Sequence, residues 1–361
     1  MLMHRRLLAA VVATVLALPA TASATWLQPH TRQEAIPQAE IQRPLVVGKS
    51  WLEADIGFSW KHSDSHWLGS ETTNLGFTEG EQWEMERNEG AWDYRKFDIG
   101  LRWGFARNIE FNLRVPVIWA QVWNNRMMNE DGTPNPITSV GLGDVHTGIR
   151  VQALRLQNPN GKISNSLVIG LDMRLPTGAE SPGTYIGGPN NIVTIITGAG
   201  TWGWDLYARY RQHLAILGID LGFGYVLNPS NTVQYLLDTE TAFFNRSIDP
   251  GDVVHGDIKI AVQPVKQIAL QVGVDIDYRL ATKWGHTVDT LPYCRDCEVV
   301  ANSEGLYMDL IARLILDPTQ HLGVDVYFEY TLAGRRNFLW PLEEISPSRG
   351  WTLGGNVSYR F

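Results

Sequence analysis

The residues able to do chemistry in this 361-residue chain are few and scattered. Cys294 and Cys297 form a Cys-x-x-Cys pair, the only two cysteines present. A structural zinc site needs more ligands, and no thioredoxin-like βαβ pattern surrounds the pair. A tight loop disulfide formed in an oxidising compartment is the ordinary reading, with metal binding or a surface thiol as alternatives. His146 stands in a polar row between Asp144 and Arg150, where an ion-paired histidine accounts for it better than a catalytic base. Glu71, Glu79, Glu81, Glu84, Glu86 and Glu89 read as a solvated acidic loop, or as carboxylates that bridge to lipopolysaccharide through divalent cations. No Ser–His pair is suitably placed, and the Gly-rich strings do not open helices, so phosphate-loop readings fail. No catalytic residue, metal or cofactor is expected.

The remaining ionisable residues become informative once their parity is read. In Ile109–Val117 the odd positions are Ile109, Phe111, Leu113, Val115 and Val117, and the even ones are Glu110, Asn112, Arg114 and Pro116. Such alternation is the signature of a strand with one apolar and one polar face. The same test finds Leu52–Lys61, Lys96–Phe105, Asp144–Ala153, Leu167–Leu175, Trp204–Arg211, Gly218–Val226, Asp257–Gln263, Ile268–Arg279, Tyr307–Leu316, Leu322–Tyr330 and Trp351–Phe361, twelve in all. Most run to about ten residues, the length of a strand crossing a bilayer at a tilt, whereas strands of soluble sandwiches are usually about 5–6.

Met1–Ala24 has a basic start (Arg5, Arg6), an apolar stretch and the small residues Ala22-Ser23-Ala24, which together read as a cleaved secretory signal. Cleavage would remove two of the 30 basic residues and none of the 38 acidic ones, moving the net charge from −8 to −10. That balance disfavours a nucleic-acid partner. After residue 24 no apolar run is long enough for a spanning helix. The expected fold is therefore an all-β, twelve-stranded antiparallel outer-membrane barrel over 50–361, with residues 25–49 as a periplasmic lead in preference to a short plug. Short connections follow the even strands and long ones the odd strands. This pattern puts both termini in the periplasm and six long loops outside. Aromatic residues fall near both ends of the strands, as interfacial girdles require.

With the apolar face toward lipid, the polar face lines the lumen. Asp98, Arg102, Glu110, Arg114, Asp144, His146, Arg150, Asp172, Arg174, Asp205, Arg209, Asp275, Asp277, Arg279 and Arg313 are the expected solute-path residues. Signs are nearly balanced, and opposite charges at i and i+2 predict ion-pair networks between neighbouring strands. Twelve tilted strands leave a lumen suited to one small solute, and the balance argues against strong ion selectivity. The loop aromatics Trp67, Phe77, Trp83, Trp123, Phe243, Phe244 and Trp340 could form an apolar vestibule, or pack the loops together. Three function classes follow: a passive channel, a structural barrel sealed by ion pairs whose loops make contacts, and, more weakly, a lipid hydrolase.

Several strings carry a family resemblance. Gly141-Leu142-Gly143-Asp144 resembles a Gly-x-Gly-Asp signature, Leu175-Pro176-Thr177-Gly178 a Leu-Pro-Thr-Gly signature, and Thr197–Trp202 with Asp205 the start of the strand that follows. All three are similar to strings in the outer-membrane barrels named as transporters of phenol-degradation (MetA) pathways. The resemblance implies transport of a small hydrophobic or aromatic solute. Tyr359 and Phe361, on one face of the last strand, resemble the terminal signal read by the barrel-assembly machinery. Expected partners are that machinery, outer-membrane lipid with its lipopolysaccharide, and the solute.

Overall fold

The computed structural model describes residues 45–68, 71–74, 90–124, 137–157, 163–178, 201–236, 243–265, 267–284, 298–299, 304–319, 321–335 and 348–361. Twelve long strands form the wall. They are β1 (Leu52–Leu68), β2 (Gly90–Ala106), β3 (Ile109–Asn124), β4 (Val145–Gln157), β5 (Ile163–Leu175) and β6 (Gly203–Leu214). The series continues with β7 (Leu217–Leu227), β8 (Val253–Val265), β9 (Ile268–Arg279), β10 (Gly305–Leu316), β11 (Leu322–Arg335) and β12 (Ser348–Arg360). Each strand pairs antiparallel with its neighbours in sequence, and β1 pairs with β12 from Glu53↔Arg360 to His66↔Ser348. The sheet is a closed up-and-down barrel, which leaves no wall strand with an unpaired edge.

Parity assigns the faces. Glu110 is completely buried while Ile56 is 65% exposed, the reverse of a protein that folds in water. Glu53, Asp55, Asp144, Arg211, Asp220 and Arg360 are buried, whereas Ile99, Phe223, Ile258 and Leu270 face outward and exposed. An apolar belt of this extent requires a hydrocarbon solvent.

The strands run further than alternation alone predicts. β1 continues seven residues beyond Lys61, and β2 begins six before Lys96. Those extensions lie at the long-loop end, where the wall no longer separates lipid from lumen and the two faces stop differing in polarity. Regions read as plain loops also hold short strands: Glu71–Asn74 pairs with β1, while Asn231–Leu236, Phe243–Asp249, Lys283–Trp284 and Glu298–Val299 form a separate four-stranded sheet.

One irregularity in the wall has a sequence cause. Pro116, within β3, has no N–H to give the ladder. Opposite it, the segment Ile137–Leu142 pairs with β3 in one register and β4 pairs in another, one residue shifted. Gly143 bridges the shift by donating its N–H to the Pro116 carbonyl at 2.9 Å. The Gly-x-Gly-Asp string is thus a β-bulge, and it turns Asp144 inward to a position 2% exposed.

Candidate functional site

Three zones of the lumen are distinguishable. At the short-turn end, Arg102 on β2 reaches Glu53 on β1 (2.8 Å) and Glu110 on β3 (2.8 Å), and Arg360 on β12 also pairs with Glu53. Residues preceding β1 fold into this cluster. The Val47 N–H donates to Glu110 Oε2 at 2.5 Å, and Arg102 Nη2 donates to the Leu45 carbonyl at 2.9 Å. Val46 is 1% exposed, and Trp51 is buried as well. Gly104 permits this seat, because a Cβ there would collide with the Gly48 carbonyl oxygen. Residues 45–48 therefore lie against the inner wall, over the charge cluster. Across the barrel, Ala261, Ala269 and Ile315 make a small apolar cluster.

The middle zone is open. Cavities of about 410, 390 and 270 Å³ lie along the inner wall. The first and second share Arg150 and Asp172; the first and third share Asp55, Asp98 and Arg114; the second and third share Arg209, Lys259 and Asp275. The three are compartments of one space. Lys96, His146, Arg150 and Arg114 line one side of it. Opposite stand Asp257, Asp275 and Asp309, which are direct cross-strand partners on β8, β9 and β10. Like charges so placed repel. Lys259 offsets part of this, lying 3.3 Å from Asp257 and 3.1 Å from Asp275, and Arg209 stands 3.4 Å from Asp257. Asp277 and Asp309 line the cavity without an ion-pair partner among the described residues.

Two tyrosines, which a reading confined to charged side chains passes over, shape this space. Tyr207 sits over Gly170, where a Cβ would run into its ring, and its hydroxyl accepts from Arg150 Nε at 2.6 Å. Tyr327 covers Gly354 in the same way. Glycine on one strand lets an aromatic ring of the next lie flat against the wall. Parity alone could have found both, since each shares its row with charged residues, Asp205 and Arg209 or Asp325 and Glu329.

At the long-loop rim the two family-like strings meet. Thr177 Oγ1 donates to the Gly143 carbonyl at 3.0 Å and accepts from the Val145 N–H at 2.9 Å. The Gly178 N–H donates to Asp144 Oδ1 at 2.9 Å, and Arg174 lies 3.8 Å from Asp144. Arg174 continues the clasp to Thr201 Oγ1 and Asn228 Oδ1, both at 3.0 Å. Asp144 and Arg174 both take part in this clasp, and Asp144 also borders the largest of the three cavities.

The other sequence-predicted residues are placed as follows. Asp98 pairs with Lys96 at 3.2 Å, Asp172 accepts from Asn112 at 2.9 Å, and Asp205 lies 2.8 Å from His255 Nε2. Arg313 pairs with Asp325 at 3.0 Å, and Arg279 ends β9 at the long-loop side. Tyr359 and Phe361 face outward at the short-turn end, with rings 4.9 Å apart. Cys294 and Cys297, and the glutamates 79–89, lie outside the described residues. The expected cross-strand ion pairs are formed; i, i+2 pairs appear at Lys96/Asp98 and Lys259/Asp257.

No protein-family model matches the chain, and no curated protein matches it in sequence. Its fold is that of the COG4313 outer membrane channel from Pseudomonas putida F1. The two superpose with a TM-score of 0.59 at 10% identity, over 88% of this chain and 97% of that one. Looser likenesses, both at a TM-score of 0.41, are the β domain of the Bordetella autotransporter BrkA (10% identity, 87% and 100% coverage) and a mutant of the TodX monoaromatic hydrocarbon channel (9% identity, 87% and 90% coverage).

Proposed function

We propose that the protein is a passive outer-membrane channel for a small solute with a hydrophobic or aromatic body and a polar substituent. The observation that carries this reading is the chain of three cavities with shared walls inside a closed barrel. The short-turn end then faces the periplasm and the long loops face outward, as in outer-membrane barrels generally. Support for an aromatic body comes from the resemblance of 141–144 and 175–178 to the phenol-degradation transporters, and from the rings of Tyr94, Tyr207 and Tyr327 among the charges. The charged lining favours a solute that also presents a hydroxyl or carboxylate, since a bare hydrocarbon would leave these groups poorly solvated. No covalent step enters the reading.

The sealed structural barrel is the competing reading, and residues 45–48 over the Glu53–Arg102–Glu110 cluster are the observation in its favour. Single-channel recording of the purified mature protein in planar bilayers separates the two. Stepwise current that phenol or benzoate reduces is expected from a channel. Electrical silence in every salt overturns the channel reading and leaves the sealed barrel.

A further inference from the structure

Arg95 stands on the wrong face of β2 for a charge. Its row, with Phe97, Ile99, Leu101 and Trp103, points outward, where a guanidinium in hydrocarbon is costly. Its place on the wall gives the reason. Arg95 lies eight residues from Trp103, and at a rise of about 3.3 Å and a tilt near 40° that is roughly 20 Å of height. It therefore sits at the long-loop border of the apolar belt, where the headgroups of the outer leaflet begin.

Trp60 and Trp119 are its direct cross-strand partners on β1 and β3, with ring centroids 5.7 and 5.2 Å from the guanidinium carbon. Stacking against rings leaves a guanidinium's N–H edge free. The nearest acidic side chain in the outward rows, Asp93, is engaged elsewhere: its Oδ1 takes Trp60 Nε1 at 2.7 Å and lies 3.0 Å from His62 Nδ1. Among the described residues no acceptor takes a hydrogen bond or ion pair from Arg95. A second cation lies nearby. Arg349 is exposed just above Trp351, which packs on Trp60 at 5.0 Å, and it donates a hydrogen bond to the Tyr330 hydroxyl at 3.1 Å. Elsewhere at this level, the described outward rows of β4 to β10 carry aliphatic, aromatic or small neutral side chains such as Thr147, Trp204, Val254 and Tyr278.

We propose that Arg95, clamped between Trp60 and Trp119, binds a phosphate of an anionic glycolipid of the outer leaflet, with Arg349 as a second contact for a bisphosphorylated headgroup. The free N–H edge suits bidentate recognition of phosphate, and the tryptophans hold the edge at headgroup depth. This inference rests on the orientation given above but not on transport.

Native mass spectrometry of the detergent-purified protein, titrated with bisphosphorylated lipid A, tests it. The expected result is one retained lipid per chain, weakened about ten-fold or more by R95Q, in keeping with the loss of a charge-assisted pair. R95K should give an intermediate loss. Dephosphorylated lipid A should bind weakly and equally to wild type and R95Q, and inorganic phosphate should not compete. Equal affinity of R95Q and wild type for bisphosphorylated lipid A overturns the proposal. So does equal binding of a zwitterionic phospholipid, and competition by inorganic phosphate would make the site one for free anions. If R95Q fails to give the heat-modifiable band of a folded barrel, R95K and W119L decide, and unchanged affinity in both overturns it. Binding is read as mass, so this outcome leaves the conductance result independent.

Discussion

The short-turn end and the middle of the charge network differ in how completely their members satisfy one another. Around Glu53, Arg102, Glu110 and Arg360, each carboxylate meets a guanidinium, and a backbone N–H and carbonyl from residues 45–47 take remaining sites. That zone is filled. In the middle, Asp257, Asp275 and Asp309 stand side by side with Lys259 and Arg209 among the cations near them, and open space adjoins them. Charge that is largely paired needs little solvent, and unsaturated charge needs water or solute beside it.

Four substitutions probe that contrast. E110A removes the acceptor common to Arg102 and the Val47 N–H and leaves Arg102 with Glu53 as its carboxylate. It should cost about 2–4 kcal/mol of stability, for the loss of several charge-assisted bonds, and raise single-channel conductance by freeing residues 45–48. Urea unfolding in detergent and bilayer recording check the two parts, and a stable, unchanged variant would show that the cluster does not hold the segment. G170A forces Tyr207 off the wall and should cost roughly 1–3 kcal/mol, largely recovered in G170A/Y207A. The urea midpoints of the single and double variants test this. T177V removes the two bonds that the Thr177 hydroxyl makes to Gly143 and Val145 in the rim clasp and should lower stability by about 1–2 kcal/mol without altering conductance. D309N, in the open zone, should change stability by less than about 1 kcal/mol, with relief of like-charge repulsion making it neutral or stabilising. A large loss in D309N would mean that the acidic row is structural after all, and would erase the distinction between the zones.

The fold was legible because the wall separates two solvents, and each residue of a spanning strand must suit one of them. Ile109–Val117 declares itself for that reason. Legibility stops where the solvents stop differing, which is why the outer extensions of β1 and β2 and the small sheet of Asn231–Leu236 and its partners carry no clear signal. In the site, charged lining residues were readable from parity, but their division into a filled and an open zone was not. That division depends on register: whether Asp275 faces Asp309 or an arginine is a matter of one strand's offset. The position of Leu45 to Val47 was equally hidden, since three apolar residues after a proline carry no periodic signal. The strings at 141–144 and 175–178 were visible separately, while the Thr177 hydroxyl that joins them was not.

The pairing of β1 with β12 has a consequence for how the molecule is made. The Phe361 N–H donates to the Leu52 carbonyl at 2.8 Å, so the residue that follows β12 fastens the first strand. The wall cannot shut until β12 has reached β1, and until then the growing sheet carries two raw margins. A variant lacking β11 and β12 keeps those margins for good, and bare margins of this kind invite pairing with other chains.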